Sequence, residues 1–484
     1  MMHKLDDIAG CEGTPNPYDD VARLRHYAAG GRDLGQAIYL SLGETWTEVA
    51  PGLRAALAGA IPAYAHGYIL SPYGLPALHE VLRDYISADH SLHDVAVIGR
   101  DYEVAVSQSS TRSAMFHFGR LLLEEQQAGP AVAICSAPGW DYAGIFAPLG
   151  FQIRPFVLSR GRGFQPDSVQ VEEVVREARR TTRGPVLLAL NAQHNPTGAN
   201  WDEHTVRAMI QTANDYDVAL LVDDAFYAVH DPGHPPTPTL RILLEETGMR
   251  CGLPSPRWLA VRSLGKQFHC NGWGIGAMTA APDTLAQLLT RLLPQHTYVS
   301  AVPLQAAMAE WLQTPASAQY LELQRHEYAQ KRQALTQKLT QDLGYPNDAV
   351  FAGECASFLI AKVPPWYEAD APAVGSDYRG YCLERAGVLP GEAHMTTPGQ
   401  QPGTRDDYIR VFLGAPRHTL EEALDRMQAA GLTWNGRPHT RTTAEGTPAH
   451  TPALTGSIHP LAGMPLPRSP MPSESSSERA GLAS

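Results

Sequence analysis

The stretch ALLVDDAFY, from Ala219 to Tyr227, places two carboxylates directly after four apolar residues. Such a short apolar run, ended by polar residues, is typical of a strand that is buried on both faces. A carboxylate at the end of a buried strand costs free energy unless a partner compensates for its lost hydration. Asp223 is therefore interpreted either as a helix cap or as a buried functional group.

Other segments of the chain repeat this pattern of a short apolar run, and amphipathic stretches separate them. The further strand-type runs are Glu103–Ser107, Ala131–Cys135, Val186–Asn191 and Trp258–Val261. Periodic apolar residues predict helices over Val171–Arg180 and Thr205–Asp215. Buried strands that alternate with helices favour an α/β fold with a mostly parallel sheet, whose ligands bind beyond the carboxyl ends of the strands.

Composition and charge exclude several classes of function. The chain has 484 residues, 44% of them hydrophobic, and a net charge of -12, so no basic nucleic-acid-binding face is expected. No run of about 18 apolar residues predicts a membrane span, and no signal peptide is seen, which favours a cytoplasmic protein. The six cysteines form no CxxC and the 19 histidines no HExxH, so no metal site is expected.

Six short motifs occur in a fixed order along the chain, and most follow a predicted strand. They are SQSSTRSAMF, SAPGWDY, NAQHNPTGANW, LLVDDAFY, SLGK and YIRVFLG. In this combination they resemble the class I/II aminotransferase superfamily, whose members are fold-type I enzymes dependent on pyridoxal 5'-phosphate (PLP). The resemblance covers roughly residues 35 to 435.

The resemblance implies a role for each residue that would contact the cofactor ring. Lys266 matches the lysine that holds the PLP aldehyde as an imine and then moves protons. Asp223 matches the aspartate that faces the pyridine nitrogen, and Asn195 the asparagine that donates to the 3-oxygen. Trp140 matches the aromatic residue that stacks on the ring. The simpler alternatives are a surface lysine, a helix cap, a turn asparagine and a core tryptophan.

The phosphate end of the site departs from the family pattern. Ser110, Thr111 and Arg112 match a loop that begins a helix, where backbone amides bind phosphate, and Ser263 would add a hydroxyl. The family usually has an arginine eight residues after the lysine, but this chain has Gly274 there. We expect Arg112 to supply the missing positive charge.

A second departure concerns the tyrosine that binds the 3-oxygen in the family. The motif DxAY is here Asp-Asp-Ala-Phe, so Phe226 occupies the tyrosine position and Tyr227 follows it. Both residues are predicted to lie beside the cofactor. If the register holds, one hydrogen bond to the 3-oxygen is lost, which would raise the pKa of the imine.

Three further residues are predicted to contact the substrate. Arg410 matches the arginine that binds the α-carboxylate through its bidentate fork. Gly43 resembles a loop of the N-terminal segment that touches the substrate. Tyr68, or alternatively Tyr73, resembles a tyrosine that reaches the site of the neighbouring subunit, so a homodimer is expected.

The resemblance also implies the domain organisation. A large PLP-binding domain, residues 60–315, would contain a mostly parallel seven-stranded sheet with one antiparallel strand. A small α+β domain would combine residues 1–59 with residues 316–437. The segment 438–484 is rich in Pro and Ser, which predicts a disordered tail.

The expected function is PLP-dependent chemistry at the α-carbon of an amino acid, with transamination favoured. A PLP-dependent β-lyase acting on a C–S bond, or a decarboxylating or oxidative deaminase of specialised metabolism, remains an alternative, because these reactions share the same lysine. A non-catalytic PLP-fold sensor is the alternative outside enzymes. It would not need Lys266, Asp223, Asn195 and Arg410 together.

Overall fold

The computed structural model describes most of the chain in nine segments. These are residues 9–11, 19–30, 34–42, 48–59, 61–125, 129–249, 256–367, 374–393 and 408–436, without the side chains of 374–377. In chain order, the strands are β1 (Ile38–Leu40), β2 (Glu103–Ser107), β3 (Ala131–Ala137), β4 (Phe151–Val157), β5 (Val186–Leu190), β6 (Ala219–Asp223), β7 (Trp258–Ser263), β8 (Gly276–Ala280), β9 (Val350–Phe351), β10 (Phe358–Lys362), β11 (Val388–Glu392) and β12 (Tyr408–Phe412).

Helices connect these strands. They are α1 (Asp19–Ala29), α2 (Pro51–Ala58), α3 (Pro76–Asp89), α4 (Ser110–Glu125), α5 (Ala143–Phe146), α6 (Ser168–Thr181), α7 (Glu203–Asp215), α8 (Thr239–Met249), α9 (Leu264–Phe268), α10 (Pro282–Gln287), α11 (Val302–Leu312), α12 (Pro315–Gln341), α13 (Val374–Ala386) and α14 (Arg417–Ala429). A π-helical turn, Leu288–Leu292, follows α10. None of these helices is both long and apolar enough to cross a membrane.

Seven strands form the larger sheet, in the order β2-β8-β7-β6-β5-β3-β4. The strand β8 is antiparallel to both of its neighbours, whereas all other adjacent pairs are parallel. This confirms the predicted mostly parallel sheet with one antiparallel strand. The strands β5 and β6 are buried at every position, as their apolar runs predicted.

The predicted helices between these strands also form, and side-chain caps begin them. The Asp167 carboxylate accepts a hydrogen bond from the Val169 N–H at the start of α6. Asp202 does the same for the Thr205 N–H at the start of α7, at 2.8 Å. Each cap satisfies one of the backbone donors that a helix leaves unpaired in its first turn.

The smaller sheet has five strands in the order β1-β11-β12-β10-β9. Its N-terminal strand β1 runs parallel to β11, and its remaining pairs are antiparallel. A second apolar core, separate from that of the larger sheet, lies between this sheet and the helices α12, α13 and α14. The pairing of β1 with β11 places one strand of the N-terminal segment beside a strand from the C-terminal part of the chain.

A buried arginine of the long helix α12 connects the smaller sheet to the loop after β6. The Arg332 side chain is 3% exposed, and its Nε donates to Asp231 Oδ1 at 3.0 Å. Its Nη atoms donate to the backbone oxygens of Cys355, Ala356 and Phe358. One guanidinium therefore binds two carbonyls of the turn before β10 and the carbonyl of Phe358, the first residue of β10.

We expect Arg332→Met to lower the free energy of unfolding by about 3 kcal/mol, because it leaves a carboxylate and three carbonyls without their donor. Urea unfolding monitored by circular dichroism measures this change. Arg417→Met is the matched control, since Arg417 pairs with Glu421 on an exposed face, and we expect a change below about 0.5 kcal/mol. Equal effects of the two substitutions would contradict the assigned role of Arg332.

Candidate active site

A cavity of about 290 Å³ opens at the carboxyl ends of the strands β5, β6 and β7. Its lining contains these predicted residues: Ser110, Thr111, Arg112, Trp140, Asn195, Asp223, Phe226, Ser263, Lys266 and Arg410. The other lining residues are Leu42, Met115, Asn191, Ala225, Gly265, Asn271, Gly274, Ile275 and Phe358. The fold therefore brings together predicted residues as distant in the sequence as Ser110 and Arg410, which lie 300 positions apart.

Lys266 lies in the short helix α9, which begins directly after the carboxyl end of β7. The hydroxyl of Ser263, the last residue of β7, accepts a hydrogen bond from the Lys266 N–H and begins the helix. The Lys266 Nζ lies 5.6 Å from the centre of the Phe226 ring. Within the described part of the chain, this amine forms no hydrogen bond or ion pair. It is thus available to a ligand in the cavity.

Asp223 forms the floor of the cavity at the end of β6 and is 4% exposed. Its Oδ2 accepts a hydrogen bond from the Tyr142 hydroxyl at 2.7 Å, and its Oδ1 accepts one from the Ala225 N–H at 3.2 Å. Burial raises the pKa of Asp223, whereas these two hydrogen bonds and the charge of Lys266 act in the opposite direction. A cationic ligand atom beside this carboxylate would further stabilise its charged form.

Tyr142, in the motif SAPGWDY, is the side-chain hydrogen-bond partner of Asp223. Burial, and then the charge of Asp223, raise the pKa of Tyr142 well above its usual value. The phenol therefore stays protonated and acts as a permanent donor. Neighbouring Trp140 lines the cavity, and its ring centre is 5.4 Å from that of Tyr142 in an edge-to-face arrangement.

Two asparagines and an arginine form the opposite side of the cavity. Asn191 Oδ1 accepts the Asn195 N–H at 2.8 Å, while Asn191 Nδ2 donates to the Asp223 carbonyl at 2.8 Å. Asn195 Oδ1 in turn accepts Arg410 Nη1 at 2.9 Å. The Asn195 Nδ2 makes no hydrogen bond with the described residues, so one donor remains for a ligand.

Arg410, on β12, is 2% exposed, and its guanidinium lies 4.3 Å from the centre of the Phe358 ring. Its Nη2 donates to the Ser41 carbonyl at 3.1 Å. Burial, followed by the charge of Arg379, lowers the pKa of Arg410 to about 10. The guanidinium is therefore still charged at neutral pH and can bind a carboxylate.

The other end of the cavity is built from the first turn of α4. Ser110 and Thr111 begin this helix, and the Ser110 N–H donates to the Gly274 carbonyl at 2.8 Å. A Cβ at Gly274 would lie 3.4 Å from the Ser110 nitrogen, and its φ is +62°. Gly274 thus closes this end with its backbone, in a left-handed conformation that would strain a residue with a side chain, although a Cβ itself would fit.

Arg112, at the same end, is partly exposed and already has two partners. Its Nη2 lies 2.9 Å from Asp141 Oδ2, and its guanidinium carbon lies 4.6 Å from the centre of the Trp140 ring. The ion pair and the ring contact hold the positive charge at the rim of the cavity.

Tyr227 does not line the cavity, which corrects its predicted place beside the cofactor. Its hydroxyl donates to the Asp89 carbonyl at 3.3 Å, and its ring packs against His90 and the Arg262 guanidinium. The turn after β6 directs Phe226 into the cavity and Tyr227 away from it. Asp224 is buried on the Tyr227 side, and burial raises its pKa to about 7.

The predicted contact Tyr68 and its alternative Tyr73 are both absent from the lining of the cavity. Tyr68 is 85% exposed, and its ring lies 6.3 Å from that of Tyr298, outside the cavity lining. Tyr73, the alternative, stacks on His79. Gly43 lies outside the described residues.

Some lining residues carried a usable signal in the sequence, and others did not. Asn191 directly follows the apolar run of β5, as Asp223 ends that of β6, so the same argument could have found it. Asn271 and Phe358 had no such signal, because nothing in their local sequence indicates which cavity they face.

Comparison with known proteins supports one family assignment. The sequence model "Aminotransferase class I and II" matches residues 65–427. The LL-diaminopimelate aminotransferase of Halothermothrix orenii is 24% identical over 277 residues, which cover 57% of this chain and 62% of that protein. The aspartate aminotransferase of Pyrococcus horikoshii is 24% identical over 280 residues, covering 56% of this chain and 62% of that protein. The chain thus matches less than two thirds of the length of either relative.

Solved structures extend the likeness to the whole fold. Aspartate aminotransferase from Thermus thermophilus with maleate has a TM-score of 0.68 at 21% identity, covering 86% of this chain and 97% of that one. Substrate-bound BacF from Bacillus subtilis has a TM-score of 0.70 at 18% identity, covering 90% of this chain and 99% of that one. With the family match over more than half of its length, the chain belongs to the class I and II aminotransferases.

Proposed function

We propose that this protein is a PLP-dependent aminotransferase that moves the amino group of an amino acid to a keto acid. The observation that carries the proposal is the arrangement of Lys266, Asp223, Asn195 and Arg410 around one cavity. An amine, a buried carboxylate, an amide donor and a buried guanidinium are the groups that this chemistry needs.

The residues of the cavity fit PLP, the cofactor on which class I and II aminotransferases depend. The Lys266 amine has no protein partner among the described residues, so it is available to an aldehyde. The Asp223 carboxylate is buried with a raised pKa, and a protonated ring nitrogen would compensate for its burial. Asn195 keeps an amide donor for a ring oxygen.

PLP, when bound, supplies an aldehyde and an electron-accepting ring that weakens the bonds of the substrate α-carbon. Lys266 Nζ takes the proton from that carbon and returns it elsewhere, acting as general base and acid. Arg410 binds the α-carboxylate and thereby orients the α-carbon toward Lys266. Tyr142 holds Asp223 in place, and Trp140 provides the flat apolar surface for a ring.

The phosphate would lie at the α4 end, against Ser110, Thr111 and Ser263. Gly274 brings no positive charge to this end. Arg112, in the first turn of α4, does, and its Nη2 lies 2.9 Å from Asp141 Oδ2. If the Arg112 guanidinium turned one of its edges from Asp141 toward a phosphate, its positive charge would stay at the cavity.

The alternative PLP-dependent reactions are outcomes that the first experiment below distinguishes from transamination. Phe226 brings no hydroxyl to the cavity, and Tyr227 faces away, so one family hydrogen bond to the cofactor has no donor here. This feature suits a β-lyase or a decarboxylating or oxidative deaminase as well as a transaminase. The product therefore decides between them.

We further propose that the enzyme is a homodimer and that it acts in the cytoplasm on an amino acid as its small-molecule substrate. Exposed apolar side chains support the dimer: Leu70 is 97% exposed and Tyr298 is 72% exposed, beside an apolar groove that includes Pro72 and Leu293. Tyr68 would then serve the neighbouring site. The division into residues 1–59 with 316–437 and residues 60–315 follows the two sheets and is part of the same proposal.

The first test is the absorbance of the purified protein with PLP, before and after amino acids are added. We expect a band near ~410–430 nm that Lys266→Ala abolishes and the exposed control Lys362→Ala retains. Amino acids should convert the cofactor to its amino form and release a keto acid. Release of pyruvate with ammonia would instead indicate elimination, and release of carbon dioxide would indicate decarboxylation. An absorbance band that is unchanged in Lys266→Ala would contradict the proposal.

Arg112→Ala should raise the dissociation constant of PLP at least about tenfold, because a charge-assisted contact to phosphate contributes roughly 1.5–3 kcal/mol. Absorbance titration of the apoenzyme measures this constant. Asp141→Asn is the matched variant, since it frees Arg112 from its partner without removing the charge, and it should not weaken PLP binding. An unchanged constant in Arg112→Ala would overturn the role of Arg112.

Leu70→Glu combined with Tyr298→Asp should convert the dimer to a monomer, because both changes place charge in an apolar contact. Sedimentation or light scattering at fixed protein concentration gives the mass. Leu323→Glu is the control, since Leu323 is 69% exposed on α12, away from the groove. A monomeric wild-type protein would contradict the dimer proposal. A double variant that remains dimeric would show that the dimer interface lies elsewhere.

A further inference from the structure

We propose that Asp20 and Arg379 are positioning residues for the substrate carboxylate, because they hold Ser41 against the guanidinium of Arg410. The inference rests on the proposed function, in which Arg410 binds the α-carboxylate. It assigns a role to the N-terminal helix α1, which contains no residue of the cavity lining.

Arg379 lies at the centre of a buried network between the N-terminal segment and the smaller sheet. It is 2% exposed, and its Nε donates to the Pro390 carbonyl at 2.7 Å. Its Nη1 donates to Glu392 Oε1 at 2.7 Å. Its Nη2 donates to both Asp20 Oδ1 and Ser41 Oγ, the latter at 3.0 Å. One guanidinium thus ties α1 and the end of β1 to β11.

Ser41 is held by two arginines through different atoms. Arg379 binds its hydroxyl, and Arg410 Nη2 donates to its carbonyl at 3.1 Å. A Cβ at Gly391 would lie 3.1 Å from the Ser41 Cα and 3.2 Å from Arg410 Nε, so the missing side chain makes this close approach possible. Movement of Ser41 would therefore change one of the contacts that fix the Arg410 fork.

Strand pairing and apolar packing also hold the N-terminal segment near Ser41, since β1 pairs with β11 and contributes Ile38 and Leu40 to the core of the smaller sheet. A further apolar cluster among the described residues joins α1 and β1 to α13 and β11. Its buried residues are Leu24, Tyr27, Tyr39, Leu383 and Leu389. The Tyr39 hydroxyl also donates to the second oxygen of Asp20, at 2.9 Å. The buried Asp20–Arg379 pair thus adds a charged contact between α1 and α13 to this strand pairing and apolar packing.

The charges also favour this arrangement. Arg379 and Arg410 are two buried cations, and Asp20 and Glu392 neutralise the first of them. Removing Asp20 would take away one of the two carboxylates that neutralise Arg379. The Arg379 guanidinium would then compete with Arg410 for the incoming carboxylate. A misplaced or competing guanidinium weakens carboxylate binding more than it slows proton transfer at Lys266.

The test compares an amino acid with its carboxamide, which lacks the α-carboxylate. The probe is the amino acid that reacts fastest with the wild-type holoenzyme. In Asp20→Ala we expect KM for the amino acid to rise roughly tenfold or more, while kcat and the PLP dissociation constant stay within about twofold. The preference for the acid over the amide should fall by the same factor as KM rises. Asp20→Asn, which keeps a hydrogen-bond acceptor, should restore part of the preference for the acid.

Asp19→Ala is the matched control, since the exposed Asp19 precedes Asp20 on α1 and, among the described residues, pairs only with Arg23. If Asp20→Ala fails to fold, Ser41→Ala decides, because it removes only the hydroxyl that Arg379 holds. An unchanged acid-to-amide preference in the folded variants would overturn the inference while leaving the proposed function intact. A wild-type protein that binds PLP but reacts with no amino acid would instead overturn the proposed function, and the inference with it.

Discussion

Burying the carboxylate of Asp223 costs free energy, and much of the site exists to compensate for that cost. The strand β6 carries it into the interior because its four preceding residues are apolar. Tyr142 and the Ala225 N–H then donate to its two oxygens, and the Lys266 charge lies close enough to favour the ionised form. A carboxylate held in this way is preorganised to meet a positive ligand atom, because its orientation is fixed before the ligand arrives.

The two ends of the cavity achieve binding by different means. At the α4 end, Gly274 offers a backbone carbonyl to Ser110 where the family pattern has a charged side chain. The remaining positive charge, Arg112, is partly exposed and shared with Asp141. At the other end, Arg410 is buried with partners on two sides. Cofactor affinity should therefore respond to salt more strongly than carboxylate affinity does, because screening acts on exposed charges.

A chain of contacts joins the two sheets across the cavity. Asn191 binds both the Asp223 carbonyl and the Asn195 N–H, and Asn195 binds Arg410 on the smaller sheet. Ser41 then continues the chain to the N-terminal segment. Because the Asn195–Arg410 hydrogen bond joins the loop after β5 to the smaller sheet, a shift of that sheet would alter the distance between Arg410 and Lys266. Packing between the two sheets thus sets the distance between the Arg410 guanidinium and the Lys266 amine.

The sequence by itself determined the alternation of strands and helices, because apolar runs and their periodicity record local burial. It also identified Lys266, Asp223, Asn195 and Arg410, since each belongs to a short motif at or beside a strand. Only the tertiary structure decided which side of a turn a residue faces, so Tyr227 left the predicted site and Tyr142 became the partner of Asp223. The physical reason is that side-chain direction after a strand depends on the turn and on distant packing, which neighbouring residues in the sequence do not encode.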